Sequence, residues 1–225
     1  MKHLLNSLKN RDFLINKYNH LLYVLLFAII VYPLTIRERS YFPLYSVIIF
    51  VSTIPALRAS ISPKKFRRLL FFPIISLFID ILMKRTILPD IELLHVITKG
   101  IDAIFFLICI ICLVKKILST KTVNSDIIKG GICIYLLIGL LWSLFYVLVY
   151  ELDPMAFKIG EDSINFVYFS YLTLTTVGYG DITPVNEFAK MLTNLESITG
   201  QLYLAILIAQ LVGIRIAQQA RESHG

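Results

Sequence analysis

The chain has 225 residues, of which 57% are hydrophobic and 16% charged, with a formal net charge of +7 and a mean hydropathy of +0.75. That apolar share is far more than one soluble core can hide, so the composition excludes an ordinary water-soluble domain and predicts an integral membrane protein. The positive charge is distributed as an orientation signal for a membrane chain, and no nucleic-acid partner is read from it.

In chain order, the opening MKHLLNSLKNRDFLINKY suits an interfacial amphipathic helix and a disordered basic tail equally well. A secretory signal is a further reading of residues 1–36, but no small-residue cleavage site follows Ile36, and the segment is kept as a span. Apolar runs occupy residues 20–36, 41–57, 69–83, 91–114, 131–150 and 188–214. Each is near the ~20 residues that a bilayer-spanning helix needs, the first three being short and the third the weakest. A seventh run, residues 163–175, is too short to span and reads as re-entrant. Pro33, Pro43, Pro55 and Pro73 mark kinks or boundaries, which a membrane bundle tolerates.

Basic residues sort to one side of six spans. Lys2, Lys9, Arg11 and Lys17 precede the first; Arg58, Lys64, Lys65, Arg67 and Arg68 follow the second. Lys115, Lys116, Lys121 and Lys129 follow the fourth, and Arg215 and Arg221 the sixth. This distribution predicts cytoplasmic N- and C-termini. The other side collects Glu38, Asp90, Glu92, Glu151, Asp153, Glu161, Asp162, Asp181 and Glu187.

Cys109 and Cys112 have the spacing of a redox or metal pair, but they sit in an apolar run with no basic neighbour to lower a thiol pKa; Cys133 lies in another run. The reading is of small apolar side chains, with no disulfide or zinc site, and a membrane thiol oxidoreductase on Cys109 and Cys112 is kept as a distant alternative.

Between the fifth and sixth spans, Asp162 or Ser163 caps a helix over Ile164–Thr175 that runs for about three turns. Then come Thr176, Val177, Gly178, Tyr179 and Gly180, where two glycines end any regular element. Irregular backbone at membrane depth is tolerated only where it is buried in protein or lines a water-filled path, so the backbone itself is expected to be the ligand.

The residues TTVGYGD, 175–181, resemble the selectivity filter of potassium channels, and the likeness covers residues 128–216 in the order outer helix, pore helix, filter, inner helix. The resemblance implies an all-α membrane protein with six transmembrane helices, a re-entrant pore helix and filter loop between the fifth and sixth, and a homotetrameric pore. Carbonyls of Thr176, Val177, Gly178 and Tyr179, with the Thr176 hydroxyl below them, would replace the hydration shell of K+; Gly178 and Gly180 would allow the backbone angles that aim those oxygens at one axis. Thr175, Asp181 and Tyr168 are the expected filter support. Many voltage-gated relatives carry tryptophans at the positions of Tyr168 and Phe169, and other bacterial relatives a glutamate at that of Leu172. Here a Tyr168-to-Asp181 brace is expected instead, the alternative being that both residues simply lie at the outer mouth.

Gly200, twenty residues after Gly180, occupies the hinge position of the resembling inner helices, and close packing against the pore helix is the competing reading. Glu196, an acid inside a span, is functional by default. Two placements stay open for it: hydrogen-bonded behind the filter, which is preferred, or facing the cavity as a cation attractor. Gln201 and Gln210 read as pore-facing or interhelical polar residues.

The six-span layout resembles voltage-gated channels, yet the fourth span lacks their repeated arginines and offers only Lys99, with His95 and Asp102 on its face and Asp80 of the third span as a partner. That polar stripe reads as a buried ion pair holding the bundle; a reduced voltage sensor and a proton switch through His95 are the alternatives.

The expected organisation is a cytoplasmic segment 1–19, a four-helix domain 20–114, a linker 115–130, a pore domain 131–216 and a tail 217–225, too short for a ligand-sensing domain. The implied function is passive, K+-selective conduction across the plasma membrane without enzymatic activity. Expected partners are lipid, K+ and three further copies of the chain; no cofactor is expected beyond the permeant ion. A weakly selective cation channel and a non-conducting regulatory subunit remain as alternatives.

Overall fold

The computed structural model describes residues 17–36, 54, 63–84, 92–120, 124–160 and 164–222. The expected second span apart from Ile54, Pro43 and Pro55, the basic opening up to residue 16, Asp162 and Ser163 lie outside them. Among the described residues, four long helices precede residues 175–181, the expected filter segment: α1 (Lys17–Ile36), α2 (Pro63–Lys84), α3 (Glu92–Leu118) and α4 (Ser125–Leu152). Then come a 3-10 turn at Pro154–Ala156, strand β1 (Phe157–Ile159), the short helix α5 (Phe166–Leu174), strand β2 (Ile182–Pro184) and the long helix α6 (Glu187–Glu222). By length and composition, α4 and residues Glu187–Ala220 of α6 can each cross a membrane; Tyr18–Tyr32 and Leu70–Met83 are shorter apolar stretches.

Helix α4 is the support on which the rest packs. Its start is fixed by Asn124, whose side chain accepts from the Ile127 N–H at 3.0 Å and so satisfies one of the free donors of the first turn. Leu21 and Leu25 of α1, Phe106 and Leu113 of α3, and Ile134, Leu137 and Leu144 of α4 bury together in one cluster. The spacing of Leu21 and Leu25, four residues apart, puts both on one face of α1. Helix α2 packs on α3, and its Leu70 also lies against this cluster. Asp126 of α4 also meets the N-terminal turn of α1, with its Oδ1 3.4 Å from the Tyr18 N–H, where a carboxylate opposes the positive helix end.

Two sequence expectations shift. The break between α3 and α4 runs only from 119 to 124, shorter than a 115–130 linker, because Lys115 and Lys116 complete the last turn of α3 and the Asn124 cap starts α4 early. Helix α2 also continues through Pro73, so that proline marks no boundary.

The fold is not purely helical. β1 and β2 pair antiparallel, with Phe157 opposite Pro184, Lys158 opposite Thr183 and Ile159 opposite Ile182. This ladder closes the base of the excursion that contains α5 and the filter segment, and bonds from Gly160 N–H to Asp181 O (3.2 Å) and Val185 N–H to Ala156 O (2.8 Å) extend it. The chain stays mostly helical, and the ladder escapes the sequence because three-residue strands carry almost no periodicity. Phe157 and Ile182 enter a second buried cluster with Tyr146, Phe166, Phe169 and Ala189. Its rings meet edge-on or tilted, with Tyr146 and Phe169 centroids 4.9 Å apart and those of Phe157 and Phe166 5.0 Å apart.

Candidate functional site

Helix α5 begins at Phe166, after an Asn165 cap whose side chain accepts from the Tyr168 N–H at 2.9 Å. The expected start at Ile164 is therefore two residues early, since Asn165 supplies the cap. Phe166 and Phe169 anchor the outer side of α5 in the aromatic cluster. On the inner side, the Tyr171 hydroxyl donates to the Leu136 carbonyl of α4 at 2.8 Å.

The end of α5 prepares the filter segment. The N–H of Thr176 bonds to Thr173 O at 3.0 Å, while those of Val177 and Gly178 both turn back to Leu172 O, at 2.8 and 3.3 Å. Thr175 Oγ1 donates to Tyr171 O at 2.6 Å. Backbone donors of three consecutive filter residues are thus spent on carbonyls at the end of α5. Among the described residues, no hydrogen bond uses the carbonyls of Thr176, Val177, Gly178 or Tyr179. Four successive oxygens are left to an acceptor-seeking ligand. The segment is exposed along its length from Thr175 to Asp181.

Backbone angles explain the turn. Gly178 and Gly180 have φ of 54° and 81°, the left-handed region that glycine enters freely. Thr176 joins them at φ 60°, rare for a β-branched residue and worth about 1–3 kcal/mol of strain, which is sustained here by its hydrogen bond to Thr173. Sequence reasoning assigned this freedom to the glycines alone; nothing in the letter Thr reveals a positive φ.

Asp181 is exposed beside the half-buried Tyr168. Desolvation of that ring, followed by the side-chain hydrogen bond and the charge of Asp181, holds the phenol proton above the ordinary tyrosine range. Asp181 lies within electrostatic reach of the Tyr168 hydroxyl.

Glu196 of α6 has no exposed surface. It lies behind α5, where the Tyr146 hydroxyl of α4 meets Oε2 and Ser170 Oγ of α5 lies 2.5 Å from Oε1. Its carboxyl is thus turned to α4 and α5, on the far side of α5 from solvent. Tyr146 and Ser170 were not singled out from sequence. Ser170 is the one serine in FVYFSYLTL and offered a signal, whereas Tyr146 sits unmarked in an aromatic run.

Gly200 lies against the last residue of α5. A Cβ there would collide with the Leu174 carbonyl oxygen and sit 3.0 Å from Leu174 Cδ1. The same carbonyl accepts from the Tyr135 hydroxyl at 3.3 Å. This is the close-packing geometry among the two sequence readings of Gly200.

The polar stripe lies apart from the filter, between α2 and α3. Lys99 Nζ pairs with Asp80 Oδ2 at 2.6 Å, and Asp80 and Asp102 are both buried. Ser76 Oγ donates to Thr98 O at 3.2 Å, and Thr98 Oγ1 donates to His95 O at 3.0 Å, so the stripe ties the two helices together. Cys109 is buried and Cys112 partly so, and both are free thiols, as is Cys133. Among the described residues, no group of three or more His, Cys, Asp or Glu side chains is placed to hold a metal.

Residues 130–215, from α4 through the filter segment into α6, match the family described as Ion channel. Over 86 residues the chain is 31% identical to Two pore potassium channel a of Oryza sativa subsp. japonica, a stretch covering 38% of this chain and 23% of that protein. The chain thus spans under a quarter of that relative's length. No solved structure matches it. Both likenesses are to channels rather than enzymes, and the family match covers the segment that holds the unpaired carbonyls.

Proposed function

We propose that the chain is one subunit of a homotetrameric channel that passes K+ down its electrochemical gradient. The observation that carries the reading is the run of four carbonyls, Thr176 to Tyr179, left without donors among the described residues while the N–H groups of Thr176, Val177 and Gly178 fold back onto α5. A potassium ion entering such a site exchanges water oxygens for carbonyl oxygens at little net cost, provided that several chains surround one axis. Helix α6 fits this arrangement: Ile198, Leu202, Ile206 and Val212 are exposed in the single chain, an apolar surface suited to lipid and to neighbouring subunits.

In this reading α5 is the re-entrant pore helix, α4 the outer and α6 the inner helix, within six spans whose termini face the cytoplasm of the plasma membrane. Asp181, Tyr168 and Thr175 support the filter. Lys99 offers a single charge already paired with Asp80, so strong voltage gating forms no part of the proposal. The front helices act as a support that packs on α4 of their own chain.

The test is uptake of K+ into liposomes containing the purified protein. The account expects uptake in the wild type and its loss in Gly178→Ala. The Gly178 Cβ position meets no atom within 4 Å, so the substitution acts through its φ of 54°, at a cost of about 1–2 kcal/mol per subunit. Equal uptake by both proteins would overturn the filter assignment.

A further inference from the structure

The contacts of Ser170 require more protons than serine owns. Its Oγ is 2.7 Å from the Gly139 carbonyl oxygen and 2.5 Å from Glu196 Oε1. A hydroxyl carries one proton, and a backbone carbonyl can only accept. Two oxygens that close with no proton between them repel, so both contacts need one. If Ser170 supplies the proton toward Gly139, the other must come from Glu196.

We propose that Glu196 is a neutral carboxylic acid whose Oε1–H donates to Ser170 Oγ, making it the positioning residue that fixes α5 between α4 and α6. Protons then run in one direction: Tyr146 donates to Glu196 Oε2, Glu196 to Ser170, and Ser170 to the Gly139 carbonyl. Three protons serve the whole chain with no acceptor contact left empty.

Burial leads to the same state independently. Glu196 is fully buried, and the ion pairs among the described residues join Lys99 to Asp80 and Lys190 to Glu187, not to it. The titratable groups that face it are phenols: Tyr135 and Tyr146 of α4 and Tyr171 of α5. An ionised carboxylate in such a place lacks a counter-charge, whereas the acid needs only the hydrogen bonds already present. Close approach of the helices makes the geometry possible: a Cβ on Gly139 would lie 2.5 Å from Tyr171 Cε1, so α5 sits near enough to α4 for Ser170 to reach backbone.

The consequence for conduction rests on the channel reading above; the protonation state does not. The experiment is infrared difference spectroscopy of the full-length protein in liposomes, wild type against Glu196→Gln, alongside K+ uptake. The expected difference spectrum contains the C=O stretch of one protonated carboxyl group, which shifts in Ser170→Ala because its acceptor is gone. Carboxylate stretches in its place overturn the proposal. Should Glu196→Gln fail to fold, carbon-13 labelling of the glutamate carboxyls in wild type and Ser170→Ala reads the same band without that variant. Glutamine keeps a donor and an acceptor in the same shape, so Glu196→Gln retains the uptake that Glu196→Ala loses; loss in both overturns the positioning role. Absent uptake in the wild type counts against the channel reading alone, and the spectrum still decides the protonation state.

Discussion

Replacing Gly200 with alanine sets two opposing effects against each other. In an open helix interior, alanine is favoured over glycine by ~1 kcal/mol. At Gly200 the new Cβ would lie 3.1 Å from the Leu174 carbonyl carbon and 3.0 Å from Leu174 Cδ1, and would collide with the carbonyl oxygen. Main chain cannot swing aside as a side-chain tip can, so the overpacking cost falls at the upper end of ~1–3 kcal/mol. The net expectation is a loss of about 2 kcal/mol, or ~30-fold in the folding equilibrium. Gly100, in α3, meets nothing within 4 Å, and Gly100→Ala is the matched control, expected to gain ~1 kcal/mol. Thermal unfolding of both variants in one detergent reads the difference. If Gly200→Ala is stabilised as much as Gly100→Ala, the packing argument is wrong and Gly200 serves as a hinge.

Two further outcomes follow from the polar contacts. Lys99→Met leaves Asp80 buried without its cation and is expected to destabilise the protein by about 3 kcal/mol, while adding Asp80→Asn restores most of the loss; additive effects in the thermal unfolding of the double variant would show that the pair is not coupled. Tyr168→Phe removes the hydroxyl that meets Asp181, so K+ flux through the variant is expected to decline faster than in wild type during sustained conduction, and identical decay curves would dispose of the brace.

The parts most legible in the sequence were those whose chemistry depends on local order. Two glycines around Tyr179 announced irregular backbone, and the structure places Gly178 and Gly180 at positive φ. The short helix before them was legible as well, but not its start, because three polar residues near one another, Asp162, Ser163 and Asn165, can all cap and only tertiary contacts choose. The acid Glu196 stood out by its cost in an apolar run, whereas its partner Tyr146, fifty residues away, did not, since nothing local distinguishes a tyrosine that packs from one that donates. The β1–β2 ladder and the strained Thr176 were illegible for the same reason: each is imposed by what the chain must close around.

The most direct test of the account is the reversal potential of the purified protein in a planar bilayer, with K+ on one side and Na+ on the other. A value near the K+ equilibrium potential, lost with Gly178→Ala, is what unpaired carbonyls at Thr176 to Tyr179 predict. A robust current reversing near zero would contradict it, because oxygens arranged to replace the hydration shell of K+ would then be failing to tell it from Na+.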